Sequence, residues 1–471
     1  MTTGRWCRVA SEYPTPPPER HLALRSDRAE NAKHVRGSEE MPTQPQTNDP
    51  AAYPEGAVRS PLPFISGFLG KLVRTGRLTV VDRAGRSHSF GPGHNGPQVT
   101  VRLHDPLVPL RILLRPSLAL GEAYMDGTIT IEKGTLPDLL HLCTGNFQAL
   151  DRHPIAGLRS DLDRWLRRLQ QNNHIGRART NVAHHYDLSG ALYDLFLDQD
   201  RQYSCAYFPT GAETLEEAQE KKKRHIMAKL LLEPGMRVLD IGSGWGGLAL
   251  EMARTEAVDV TGLTLSQEQL LVANERAATA GLSSRVRFAL RDYREEQGTY
   301  DRIVSVGMFE HVGVAHYRTY FDTLRRRLKP DGIALVHAIG RADPPGSTDP
   351  WLRRYIFPGG YCPALSEALA AVERSGLWVT DIEILRLHYA ETLRHWFVRF
   401  QANRHRANAI YDERFCRMWE FYLAACEAAF RNGPMMVFQL QLARRRDTVP
   451  LTRDYIAHRE NLDARPEEAV A

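Results

Sequence analysis

RVLDIGSGWGGLALEMA, residues 237–253, reads as a strand, a glycine turn and a helix, and the fold turns on this unit. Gly242, Gly244 and Gly247 fit G-x-G-x-x-G, which lets the loop backbone pass close to a ligand lying over the helix N-terminus. Outward from it the chain keeps alternating. VDVTGLTL, VRFALRD, DRIVSVG and GIALVHAIG are apolar strand-like runs separated by helical stretches, the grammar of a doubly wound parallel sheet. LWVTDIEIL and MMVFQLQLARR add two strands after the last crossover. Between them, about 391–432 is long, helical and aromatic, a helical cap inserted before the final strand. The expected fold class is α/β over residues 181–447.

The glycine motif alone does not choose a ligand. A nicotinamide or flavin enzyme wants an acidic residue at the end of the second strand for the ribose hydroxyl. Here that place reads Leu263-Thr264-Leu265-Ser266-Gln267, and Glu268 already falls in the next helix. Asp240 precedes the loop as in the D-x-G-x-G-x-G pattern of S-adenosylmethionine (SAM) methyltransferases, and the extra final strands suit that fold. The SAM reading leads.

The rest of the chain sets bounds. Its 471 residues carry 42% hydrophobic and 25% charged side chains, enough for two or three cored domains. Residues 1–55 are polar and proline-rich and read as a disordered lead-in, with Met41 an alternative start. Residues 56–145 read as a small α+β domain, from runs such as RLTVVD and VTVRLHD around GPGHNGP. Residues 146–180 read as a linker whose Leu158, Leu162, Trp165, Leu166 and Leu169 share a helical face, with arginines elsewhere. Such a helix lies on an anionic membrane or packs on its own protein, and both readings stay open. Residues 448–471 read as a tail.

No apolar run reaches the roughly 18 residues of a membrane span, and the N-terminus lacks the apolar core of a secretory signal. Six scattered cysteines without C-x-x-C spacing fit neither a disulfide framework nor zinc. His184 and His185 are adjacent, without a carboxylate at ligand spacing, so no metal is expected. The net charge of +5 permits an anionic partner without choosing between nucleic acid and lipid. Lys221–Lys223 read as a solvated face with i,i+4 pairs, Glu217 to Lys221 and Glu220 to Arg224.

Longer strings then narrow the family. QYSCAYF (202–208), EEAQEKK (216–222), PGMRVLDIGSGWGGLA (234–249), GLTLSQEQ (262–269), DRIVSVGMFEHVG (301–313), LKPDGIALVHAIG (328–340) and DPWLRRYIFPGG (349–360) closely resemble the cyclopropane-fatty-acyl-phospholipid synthases and their mycolic-acid relatives. The resemblance runs from about 60 to 445 and includes VRLHDP and ALGEAYMDG in the N-terminal domain. One departure is Ser243, where the family usually has cysteine; the two are nearly isosteric, so the loop geometry is expected to hold.

The resemblance implies a class I, Rossmann-like SAM methyltransferase with a lipid-engaging N-terminal domain. It implies methylene transfer to a cis double bond of a phospholipid acyl chain. The alkene is the nucleophile and methyl transfer leaves a carbocation. A base, in the family a bound bicarbonate, then removes a methyl proton so that the ring closes. Glu310 would accept the bicarbonate hydroxyl. His337, Tyr389 and the backbone N–H groups of Cys205 and Ile339 would donate, with Cys426 nearby. Taken singly, Glu310 fits a salt-bridged carboxylate, His337 a core histidine, Tyr389 packing, and the cysteines small buried hydrophobes. Tyr203, Ser204, Asp240, Gly242, Gly244, Thr264, Gln269, Tyr293 and Arg294 would bind SAM. Phe208, Phe309 and Tyr389 would shield the cation, or in the case of Phe309 simply pack, while His311 is left as structural. The implied partners are a phospholipid bilayer, engaged peripherally on the cytoplasmic side, and a second copy in a homodimer, with no nucleic acid. A SAM enzyme giving a methyl-branched lipid or methylating a small molecule remains the alternative.

Overall fold

A computed structural model describes residues 62–147 and 190–462. The lead-in 1–55, the linker helix Leu158–Leu169, and His184 and His185 lie outside the described residues. The N-terminal domain is a four-stranded sheet of β1 (Arg77–Val81), β2 (Ser87–Phe90), β3 (Gln98–Leu103) and β4 (Ile129–Lys133), in the order β2-β1-β3-β4. Strand β3 alternates exposed or half-buried with buried residues, so Val99, Val101 and Leu103 face the core while Thr100 and Arg102 do not.

The large sheet contains β5 (Arg237–Ile241), β6 (Asp259–Thr264), β7 (Val286–Leu290), β8 (Tyr300–Val306), β9 (Leu328–Arg341), β10 (Trp378–Leu385) and β11 (Met435–Ala443). Its order is β10-β11-β9-β8-β5-β6-β7, with β11 antiparallel to both neighbours and β5 through β9 parallel. Helices cover both faces, which explains why the strands read as continuous apolar runs: Leu239 and Ile241 enter one core cluster and Val238 the opposite one. The strand order reverses between β5 and β8. That switch point is where an open α/β sheet leaves a crevice beyond its strand ends.

Helix Leu215–Leu230 starts at a capping box, with Thr214 accepting from the Glu217 N–H and the Glu217 carboxylate accepting from the Thr214 N–H at 2.8 Å. This corrects the reading of the lysine run. Glu217 serves the cap, Lys221 pairs with Glu213 at 2.8 Å, and Lys222 and Lys223 are buried; only the Glu220–Arg224 pair stands, at 3.4 Å.

The cap is formed by helices His388–Ala402, Arg404–Ile410 and Glu413–Asn432. The N-terminal domain packs on it. Tyr124 Oη donates to Glu420 Oε2 at 2.7 Å, and Asn432 Nδ2 donates to Thr144 Oγ1 at 2.9 Å. Trp351 donates to Met125 Sδ at 3.3 Å, and its indole lies so close to Gly121 that no Cβ fits there. The segment expected as a tail carries helix Asp454–Leu462, whose Arg459 donates to Leu232 O at 2.9 Å and whose Glu460 meets His225. Among the described residues no helix is long and apolar enough to cross a membrane.

Candidate active site

Beyond the ends of β5, β6 and β8 lies a cleft bordered by all nine residues expected to hold the cofactor: Tyr203, Ser204, Asp240, Gly242, Gly244, Thr264, Gln269, Tyr293 and Arg294. The glycines act differently from one another. Gly242 and Gly244 have φ of +85° and +55°, a left-handed backbone that makes the turn, and the space a Gly244 side chain would fill is open. Gly247 instead admits Asp200 and Gln202, whose side-chain tips lie where its Cβ would be. Ser243 is buried and its hydroxyl donates to Leu263 O at 3.4 Å, so the serine is absorbed into the loop's own bonding.

The far wall discriminates among nucleotides. Thr264 Oγ1 donates to Gln269 Oε1 at 2.9 Å, whereas Glu268 turns away and accepts from the Gly190 N–H at 2.8 Å. The acidic residue nearest the expected ribose position of a dinucleotide is thus engaged elsewhere. Arg294 forks onto Asp292 at 2.8 and 2.7 Å while its guanidinium lies 5.6 Å from the Tyr293 ring centre.

The residues expected to do chemistry occupy a second region. Glu310 follows β8, is 7% exposed, and accepts from the Ile339 N–H through Oε1 at 2.5 Å. Its Oε2 is buried with no hydrogen-bond partner among the described residues. Burial pushes its carboxyl up to about 7, against the opposing pull of the Ile339 N–H. The Ile339 N–H, expected to donate to the ligand, donates to Glu310 Oε1 in the structure.

His337 lies two residues before Ile339 on β9 and therefore on the same face. Burial, with Lys222 and Lys229 adding to it, lowers its pKa to about 3, so the ring is neutral. Its tautomer follows from its neighbours. Lys229 Nζ donates to Gln439 Oε1 at 2.7 Å, which turns the Gln439 amide nitrogen toward His337 Nδ1 at 3.1 Å. Nδ1 accepts, so the proton sits on Nε2 and the ring is a donor there.

Cys205 and Tyr389 belong to one apolar cluster, with Tyr203, Ile339 and Cys426 packed against it. Tyr389 meets Trp396 and Phe430 edge-on, at 5.8 and 5.0 Å between ring centres. Tyr203 stacks on Trp396 at 5.1 Å and shares a 2.8 Å hydroxyl bond with Tyr422. Cys205 Sγ donates to Ala206 O at 3.3 Å, and burial raises the thiols of both Cys205 and Cys426. These cysteines are neutral and apolar rather than nucleophiles.

Phe309 is fully buried, stacked on Tyr317 at 4.4 Å in the core behind the site, so packing accounts for it. Phe208 stacks on His395 at 5.6 Å. His311, left as structural, borders the cleft and burial lowers its pKa to about 4. Lys222, Gln202, Asp292 and Met308 also border it. Burial, with the Glu310 carboxylate adding to it, raises the Cys362 thiol to about 12, and Cys362 in turn helps to raise Cys426. Lys222 was hidden by the charge run around it, and His311 carried the one available signal, adjacency to Glu310. Among the described residues no cluster of His, Cys, Asp or Glu could hold a metal.

A family profile described as mycolic acid cyclopropane synthetase matches residues 173–440, and a domain of unknown function matches 73–150. The chain is 41% identical over 349 residues to the cyclopropane-fatty-acyl-phospholipid synthase of Escherichia coli, covering 73% of this chain and 87% of that one. It is 36% identical over 364 residues to the tuberculostearic acid methyltransferase UfaA1 of Mycobacterium tuberculosis, covering 72% and 84%. Among solved structures, mycolic acid cyclopropane synthase CmaA1 complexed with SAH and CTAB superposes with a TM-score of 0.54 at 35% identity, covering 56% of this chain and 97% of that one.

Proposed function

The chain belongs to the mycolic acid cyclopropane synthetase family of SAM-dependent methyltransferases, and from that premise we propose that it methylenates cis double bonds in the acyl chains of membrane phospholipids. The observation that carries the reading is Glu310, a buried carboxylate with one oxygen held by the backbone and the other unpartnered. Leaving such an oxygen dry is costly unless a ligand supplies a donor. SAM supplies the carbon, and bicarbonate, when bound, supplies a base too small and too weak a nucleophile to compete for the methyl. The donor set fits a small oxyanion bearing one hydroxyl.

Glu310 Oε2 accepts that hydroxyl. His337, neutral and protonated on Nε2, donates to the oxyanion, as do the Tyr389 hydroxyl and the Cys205 N–H. The Ile339 N–H orients Glu310. Tyr203, Trp396, Tyr422, Tyr389 and Phe430, which share one apolar cluster, would wall the acyl side and keep water from a carbocation.

A bilayer substrate requires a surface that meets lipid. Around helix Val108–Leu114, Leu107, Leu110, Leu113 and Leu114 are each at least 40% exposed, with Arg111 and Arg115 exposed among them. Leucines flanked by arginines suit an anionic headgroup layer, which supports peripheral attachment to a membrane; the proposed face is the inner one of the cytoplasmic membrane.

The test is mass spectrometry of fatty acids from a host without such enzymes, with and without this protein. Products one methylene heavier, carrying ring fragments and no double bond, are expected. An intact olefin with a methyl branch would favour the second reading, a methyl-branched lipid, which the likeness to the tuberculostearic acid methyltransferase UfaA1 also supports. No change in the fatty acids would reopen the small-molecule alternative.

A further inference from the structure

His337, Gln439 and Glu383 form a row across the large sheet. Gln439 of β11 stands opposite His337 of β9 and opposite Glu383 of β10, so the three side chains share one face. His225 and Lys229, one turn apart on helix Leu215–Leu230, reach that row. His225 Nε2 lies 2.6 Å from Glu383 Oε2, and its other ring nitrogen meets Glu460 of helix Asp454–Leu462. Lys229 Nζ donates to the same Glu383 oxygen and, at 2.7 Å, to Gln439 Oε1. Burial opposes the ionisation of Glu383, yet His225 and Lys229 hold its carboxyl well below the usual range.

Lys229, Gln439 and His337 are each at most 2% exposed. Packing alone does not ask for such a set, since apolar side chains of similar volume fill a sheet face at no greater cost. The set does decide a proton. An ammonium only donates, so Lys229 claims the amide oxygen of Gln439 and leaves the amide nitrogen to His337 Nδ1, at 3.1 Å. Nδ1 accepts, and the ring proton goes to Nε2. A carboxylate at 439 would satisfy Lys229 equally well, yet it could only accept from Nδ1. The amide, and not merely a polar group, is what makes His337 a donor at Nε2.

We propose that Gln439, oriented by Lys229, is a positioning residue: it confines the His337 proton to Nε2, so that the ring can donate to the bound oxyanion but cannot accept there. The Glu383–His225–Glu460 chain anchors Lys229 to helix Asp454–Leu462. The assignment rests on the reading of His337 as a donor to bicarbonate.

The test is long-range nitrogen–proton correlation NMR of the full chain, isotopically labelled at its histidine ring nitrogens, with a His337→Gln spectrum to identify the signal. Wild type is expected to show His337 neutral, with Nδ1 bare and Nε2 protonated. In Gln439→Glu the proton is expected on Nδ1, and turnover on vesicles of phospholipid with one cis double bond falls roughly 10- to 100-fold, the range of one hydrogen bond to a charged group. S-adenosylhomocysteine affinity, measured by calorimetry, stays unchanged. Gln439→Met keeps the shape, supplies no acceptor, and is expected to lose less turnover than Gln439→Glu. A wild-type ring protonated on Nδ1 would overturn the proposal without any variant, even if Gln439→Glu fails to fold. So would an Nδ1 that stays bare in Gln439→Glu, or a proton moved there with turnover unchanged. Equal losses in the two variants would also overturn it and leave Gln439 a packing residue. Wild type that forms no cyclopropane, whatever the spectra show, would instead sink the functional reading and the positioning role with it.

Discussion

The two halves of the site are assembled in opposite ways. The cofactor half is local: a glycine turn, strand ends and short loops within 240–312, closed by the 201–204 segment and Lys222. The half proposed for the lipid is aromatic and dispersed, with Tyr203, Trp396, Tyr422, Tyr389 and Phe430 brought from a loop and two cap helices. Glu310 belongs to neither list, with one oxygen fixed by the sheet and the other without a hydrogen-bond partner among the described residues. The contrast teaches that a small charged cofactor is gripped by backbone geometry, while a flexible apolar chain needs only a dry, shaped wall.

The largest expected effect falls on the residue that belongs to neither half. Glu310→Gln should lower turnover by roughly 10²–10⁴-fold, the range of general acid–base catalysis, while S-adenosylhomocysteine affinity stays within about twofold. Turnover and calorimetry on one preparation check this, and coupled losses would merge the two halves. Next, Phe430→Ala should destabilise the fold by about 3–5 kcal/mol and cut turnover, since a buried aromatic ring against Tyr389 is lost. Denaturant unfolding measures it, and cofactor affinity should again hold.

The same Glu310→Gln variant makes a pH prediction. Burial raises the Glu310 pKa from 4.5 to about 7, so the unfolded chain ionises first and stability falls as pH rises through that window. The glutamine variant lacks this penalty. Near pH 8 it should be more stable than wild type by up to about 3 kcal/mol, a gain that vanishes below about pH 4. Melting curves across pH decide the sign.

Gly247→Ala acts on the cofactor half, because its methyl would occupy the place of the Asp200 and Gln202 tips. A cost of about 1–3 kcal/mol is expected, with weakened S-adenosylhomocysteine binding. Smallest, Tyr422→Phe removes the hydroxyl bond to Tyr203 for about 1 kcal/mol and leaves the cofactor constant nearly unchanged.

The same contrast explains what could be read from the chain. The glycine loop, the alternation of strands and helices around it and the two added strands were legible because each is written in consecutive residues. Thr264 and Gln269 came from the family resemblance, and they meet because they sit five residues apart across one strand end. Lys222 was not, because a lysine among acids looks solvated until the 202–204 segment folds over it. Phe309 stood in a chemical motif, and of its two readings packing won: in the helical turn Phe309–His311 its ring goes to the core against Tyr317. The docking of Tyr124 on Glu420 joins residues 296 positions apart, and no local pattern announces it.

The most direct measurement gives the purified protein SAM bearing a trideuterated methyl group and vesicles of phospholipid with one cis double bond, and analyses the acyl chains by mass spectrometry and proton NMR. The account predicts a product retaining two of the three deuteriums, with cyclopropane ring protons and no olefinic signal. A product that keeps all three deuteriums, or one that retains a double bond, would contradict it.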